Sequence, residues 1–219
     1  MFTHLLRTYP VTIAITVLAV LSHTSAALTG AFELDFGLVA GGQVWRLISG
    51  HWTHFDASHL CWDLLMFVVL SAMCERRCGQ KSAWGYAVTI AASLLFISAA
   101  IRITCPEIAT YRGLSGIDTG LFGWLVVDHS RQSWRSSNRL AAVVAATGLL
   151  ALIGKLIFEA ATGNTLFVDS STFTPLVQSH LAGLAGGIAA STIHALGRQS
   201  IPPINESIKS PIAQRRPAS

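Results

Sequence analysis

The sequence predicts an all-α membrane protein, a bundle of six transmembrane helices with a short, buried fourth helix. Composition is the first reason: of 219 residues 52% are hydrophobic and only 12% charged, and the mean hydropathy is +0.53, which a soluble domain does not show. The second reason is six separate apolar runs. The third is a one-sided distribution of basic residues.

A span needs about 20 apolar residues to cross roughly 30 Å of hydrocarbon. The runs lie at 10–29, 58–75, 84–103, 114–128, 140–158 and 176–196. The fourth is too short to cross unless it is sunk among its neighbours. Outside them stand a long loop (30–57), a moderate one (159–175) and a polar, Pro-containing end. The expected organisation is one membrane domain over 1–197 and a flexible cytoplasmic tail over 198–219. The first run could also be read as a cleaved signal peptide, since Arg7 precedes it and Ser25, Ala26 and Ala27 follow.

Lys and Arg accumulate on the cytoplasmic side. With the N-terminus inside, the inner segments hold Arg7, Arg76, Arg77, Lys81, Arg131, Arg135, Arg139, Arg198, Lys209, Arg215 and Arg216, and the outer ones only Arg46, Arg102, Arg112 and Lys155. Both termini are therefore expected in the cytoplasm. The basic balance then reflects topology and anionic lipid headgroups, and needs no nucleic-acid partner. The four cysteines, Cys61, Cys74, Cys78 and Cys105, are scattered, contain no C-x-x-C pair and suggest free thiols.

Ionisable groups in hydrocarbon are costly, so each one in a span is a functional candidate that needs a partner. Here they are His59 and Asp63 on the second run, Ser115 with Asp118 on the fourth, and His180 on the sixth. The predicted topology puts all of them within about two turns of the outer surface. Glycines indicate which helices touch. Gly116 and Gly120 form one G-x-x-x-G face beside Ser115, and Gly183 and Gly187 form another that starts three residues after His180. Such faces let helix backbones approach closely in lipid, and this pairing would bring Ser115 to His180. A hydroxyl beside an imidazole is the unit of nucleophilic catalysis. Gly113 and Gly116 flank the serine and would give a substrate room, while first-turn N–H groups face a developing oxyanion.

These residues resemble the rhomboid family of intramembrane serine proteases. Its G-x-S-G is similar to Gly113-Leu114-Ser115-Gly116. Its H-x-x-G-x-x-x-G is similar to the stretch from His180 through Gly183 to Gly187, its W-R to Trp45-Arg46, and its histidine-rich second helix to HWTHFDASHLCWD. The resemblance implies a Ser115 nucleophile, a His180 general base and His59 as an oxyanion donor. It further implies a structural role for His54, and assigns none to His51. Loop 30–57 would lie partly in the outer leaflet, with Trp45 and Trp52 suited to the interface. The partners implied are a transmembrane protein substrate and membrane lipids, with no cofactor. The expected home is a bacterial inner (plasma) membrane, the site opening outward.

Two positions depart from the family pattern. Asp63 stands where the family usually has asparagine, and an ionised carboxylate cannot donate to an oxyanion. Either desolvation keeps it neutral, or it pairs with His59 at i,i+4 and makes that imidazole a stronger donor; the second is preferred. Asp118 stands where apolar residues are common, and could reach His180 to turn a dyad into something nearer a triad, or serve helix packing. HLCWD and GLSGID together resemble the rhombosortase branch, which trims C-terminal membrane anchors. Other readings are a metal site on His51, His54, His59 and Asp63, an inactive rhomboid-like helix binder, and a transporter. The first lacks H-E-x-x-H spacing, the second usually loses Ser or His, and the third lacks an inverted repeat.

Overall fold

The computed structural model describes residues 2–78, 83–166 and 175–199. The chain is a helical bundle. It opens with α1 (Phe2–Thr8) and α2 (Pro10–His23), continues through α3 (Ala26–Phe32), α4 (Phe36–Ala40) and α5 (Arg46–Ser49), and then builds five long helices. These are α6 (Ala57–Cys78), α7 (Ala83–Thr104), α8 (Ser115–Ser136), α9 (Arg139–Thr162) and α10 (Val177–Gln199). Among the described residues, three stretches are long and apolar enough to cross a membrane: α6, Tyr86–Thr104 of α7, and α9; α2 is apolar but shorter. Of the basic residues used to orient the chain, Lys81, Lys209, Arg215 and Arg216 lie outside the described residues, as does the expected tail from residue 200.

Two expected elements differ. The run 10–29 is not one helix, because α2 ends at His23 and Ser25, in extended conformation, restarts the chain as the N-cap of α3 by accepting Leu28 N–H. The fourth helix is not short. Hydropathy fades at Asp128, yet α8 runs 22 residues to Ser136, because neighbouring helices satisfy its polar end. Asp128 pairs with Arg77 of α6, and Arg131 donates to Ser191 O (3.0 Å) and Thr192 Oγ1 (3.2 Å) of α10. A left-handed Ser137 then closes α8, and Asn138 caps α9 through Ala141 N–H.

The amino end of α2 is held by a residue of another helix. Glu75 of α6 accepts Val11 N–H (2.9 Å), Thr12 N–H (3.0 Å) and the Thr12 hydroxyl (2.7 Å). These are orphan donors of a helix start, and the carboxylate meets the positive end of the helix dipole.

Residues 25–53 fold over the end of the bundle at which α8 begins. Arg46 is buried and organises them, donating from Nη1 to Gly30 O (2.9 Å) and Glu33 O (2.8 Å), and from Nε to Gln43 Oε1 (2.8 Å). Trp45 beside it is half exposed. Leu34–Asp35 (β1) pairs antiparallel with Thr110–Tyr111 (β2), Leu34 opposite Tyr111. Gly50 passes so near β1 that a Cβ there would lie 2.4 Å from Leu34 Cβ. This two-residue ladder anchors the chain four residues before Ser115.

The core falls into two clusters, the smaller built on Leu34, Ile97, Ile101, Cys105, Tyr111 and Ala182. Ile15 and Ala19 of α2, Phe67 and Leu70 of α6, Leu94 of α7 and Ile117, Leu121 and Trp124 of α8 pack in one cluster. Helix α8 is thus surrounded, while α9 is the least buried of the three apolar spans, at 11% against 39% for α6 and 28% for α7.

Candidate active site

Tyr111 leaves β2 and the chain turns through Gly113 at φ +120°, a left-handed backbone that favours glycine. Space demands it as well, since a Cβ there would meet His59 Nε2 at 2.8 Å and Asp63 Oδ2 at 3.1 Å. Ser115 follows as the first residue of α8, half-buried.

The seam between α8 and α10 is backbone against backbone. A Cβ on Gly183 would lie 1.8 Å from Gly116 O, one on Gly187 1.8 Å from Gly120 O, and one on Gly120 2.8 Å from Gly183 O. The contact continues one residue after Ser115 and one before His180, with Gly116 facing Ser179 O at 3.2 Å from its would-be Cβ. Ser115 and His180 line one cavity of about 980 Å³, together with His59, Asp63, Asp118 and Glu159.

Asp63 is the hub of this end of the bundle. Its Oδ2 lies 3.2 Å from both His59 Nε2 and His54 Nε2, and accepts the N–H groups of Leu114 (2.9 Å) and Ser115 (3.1 Å). The i,i+4 partnership with His59 is present, joined by a second imidazole. The carboxylate also occupies the Ser115 N–H, which the sequence reading offers to an oxyanion. A carboxylate here is favoured by the free N–H groups and positive end of α8.

His54 is buried, and burial lowers its pKa against the opposing pull of Asp63. His51 faces elsewhere. Its Nε2 lies 3.0 Å from Ser98 Oγ, its ring meets Tyr111 edge-on at 5.2 Å, and complete burial lowers its pKa to about 4. The four residues considered as metal ligands therefore do not converge on one point. Burial pushes the Tyr111 hydroxyl up to about 12, with the Ser179 and Ser115 hydroxyls acting in the other direction. None of the four cysteines forms a disulfide among the described residues.

His180 is buried on α10, and the carboxylate beside it is not that of Asp118. Glu159 Oε2 of α9 lies 3.2 Å from His180 Nδ1, and Glu159 Oε1 lies 2.7 Å from Lys155 Nζ. Asp118 is buried in the cavity wall, with Oδ1 lacking a hydrogen-bond partner and no ion pair to His180 among the described residues. The physical reason is the ring's orientation, which turns Nδ1 toward α9. Sequence reasoning missed Glu159 because the fifth apolar run was closed at Phe158, leaving the next residue to a loop. The signal was the i,i+4 spacing of Lys155 and Glu159 at the end of a strongly apolar helix.

The described residues thus form an apolar helical bundle of membrane-spanning type, with a serine at the head of one helix and a histidine near the head of another, joined by a glycine seam. The rhomboid-domain family model matches residues 41–196, and the chain belongs to the rhomboid family. That family is one of intramembrane serine proteases that act on membrane-protein substrates, and the chain is an integral membrane protein. No curated protein matches the sequence.

Proposed function

We propose that the protein hydrolyses a peptide bond in or next to a transmembrane segment of a membrane-protein substrate, with Ser115 as nucleophile and His180 as general base. The observation that carries this reading is the glycine seam: it holds the head of α8 against the head of α10 through Gly116 and Ser179, so both side chains line one cavity.

Ser115 Oγ attacks the scissile carbonyl while its proton passes to His180. The same proton then goes to the leaving amine, and water releases the acyl-enzyme by the reverse roles. His59, held by Asp63, donates to the oxyanion. The Ser115 N–H joins it once Asp63 gives up that bond. A substrate helix must unwind locally to present its amide, since its backbone is already hydrogen-bonded. Poor helix formers near the cut are therefore expected in the substrate. The membrane domain spans 1–197 with both termini in the cytoplasm of a bacterial inner membrane, and removal of a C-terminal anchor, as by a rhombosortase, is the more specific form of this activity.

A second reading has one observation in its favour. Asp63 accepts the Ser115 N–H, the donor that the protease reading needs for an oxyanion, as suits a rhomboid-like protein that binds transmembrane helices without cutting them. Labelling with a fluorophosphonate probe separates the two. Wild type should label, and Ser115→Ala and His180→Ala should not; a folded wild type that stays unlabelled overturns the protease reading.

A further inference from the structure

A charged pair at the edge of a membrane helix demands an explanation. Lys155 and Glu159 lie on the most apolar of the spans, with mean hydropathy 2.2, and the Glu159 side chain is 1% exposed. Taking two charges out of water costs several kcal/mol per ion, which mutual attraction alone often fails to repay. Were the pair serving only itself, both carboxylate oxygens would be free to share the ammonium. They divide the work instead: Oε1 meets Lys155 Nζ, and Oε2 is turned 3.2 Å from His180 Nδ1.

That second contact is at ion-pair distance without being an aligned hydrogen bond. Glu159 Oε2 and His180 Nδ1 are both buried and neither has a hydrogen-bond partner. Each buried polar atom left unmade costs about 1–3 kcal/mol. Two such atoms, one acceptor and one ring nitrogen that can carry a proton, already face each other. A small rotation of the imidazole satisfies both, and fixes the proton on Nδ1 so that Nε2 is the basic nitrogen.

We infer that Glu159 is a positioning residue, so that Ser115, His180 and Glu159 form a three-membered relay in which the carboxylate orients the imidazole from α9. This rests on the protease reading above. The proton moves from Ser115 Oγ to His180 Nε2 as the Oγ–C bond forms, and later leaves on the amine. Glu159 stays ionised throughout and faces the imidazolium that appears between these steps. Lys155 tempers the effect by neutralising the carboxylate in the resting state. The site therefore passes from a neutral trio of Lys155, Glu159 and His180 to one positive charge, balanced by the oxyanion.

The pH dependence of kcat/KM tests this, because its acid limb reports the base of the free enzyme. Besides Glu159 and Lys155, the titratable and charged groups facing His180 across the cavity are Asp118 from α8, His59 and Asp63 from α6, and Glu107, Tyr111 and Arg112 from the segment before α8. Substitutions confined to α9 leave all of these in place. With full-length protein in proteoliposomes, Glu159→Gln should lower kcat/KM by about 10²- to 10⁴-fold, leave KM nearly unchanged, and move the acid limb to lower pH. Lys155→Met should move that limb the other way, to higher pH, because it removes a cation while keeping the carboxylate. If Glu159→Gln cleaves like wild type with an unmoved limb, the relay is overturned. Should that variant not fold, Lys155→Met decides alone, an unmoved or lowered limb being the overturning result. Failure of the protease reading looks different: wild type itself is inactive, or Ser115→Ala retains full activity.

Discussion

Gly183 stands against Gly116 with no room between them: a Cβ on Gly183 would fall 1.8 Å from the Gly116 carbonyl oxygen. No side-chain motion relieves such a clash, because the obstructing atom is backbone.

The first prediction concerns this seam. Gly183→Ala must push α8 and α10 apart, at a cost of about 1–3 kcal/mol or more, and should lower the unfolding midpoint in detergent and reduce probe labelling of Ser115. Gly30→Ala is the matched control, since a Cβ there meets nothing within 4 Å. Equal midpoints for the two variants would contradict the described packing.

Asp63 offers a second prediction. Asp63→Ala leaves two N–H groups and two imidazoles without their shared acceptor, and should destabilise the protein by about 3–5 kcal/mol in equilibrium unfolding. Asp63→Asn keeps an acceptor oxygen of the same shape and should lose clearly less. Because the amide can also donate, that variant should keep or raise the cleavage rate, measured on a model substrate.

Asp118 behaves oppositely. Its carboxylate is buried and Oδ1 lacks a hydrogen-bond partner, so its desolvation is not repaid by a bond at that oxygen. Asp118→Asn should hold or raise the thermal midpoint. A clear fall would reveal a stabilising interaction of the carboxylate that the static geometry lacks.

The fourth prediction is a pH effect on stability. His51 has a native pKa of about 4 against about 6.5 for an unfolded histidine. The unfolded chain thus binds more protons between those values. The stabilisation is complete above about pH 6.5 and is lost as pH falls toward about 4, a difference of about 3 kcal/mol. Unfolding of wild type and His51→Asn, compared at pH 7 and pH 4.5, should show the variant with the flatter dependence. A parallel decline of the two would place the sensitivity on another group.

How far the residues alone disclose this arrangement depends on the kind of signal each part leaves. Gly116, Gly120, Gly183 and Gly187 are legible because a small-residue stripe at i,i+4 has few meanings in an apolar helix. The i,i+4 partnership of His59 and Asp63 is equally local. The polar end of α8 is not, since Arg77 and Ser191, which satisfy it, lie 51 and 60 residues away. The β1–β2 ladder is too brief to show alternation. His54 joins Asp63 only because the segment before α6 folds back upon that helix. Glu159 fell beyond a boundary drawn by hydropathy, which ends a helix at its first acid and so hides any acid whose charge is met by another helix.

The unequal burial of the helices has a mechanical consequence. Because Gly183 and Gly187 lock α10 to α8 through backbone atoms, those two helices travel together, whereas α9 is little covered by the rest of the bundle and is joined to α8 by a tight turn at Ser137. Glu159 rides on α9 and His180 does not. Any sideways yielding of α9 therefore parts the Glu159 carboxylate from the His180 imidazole while the α8–α10 seam stays whole.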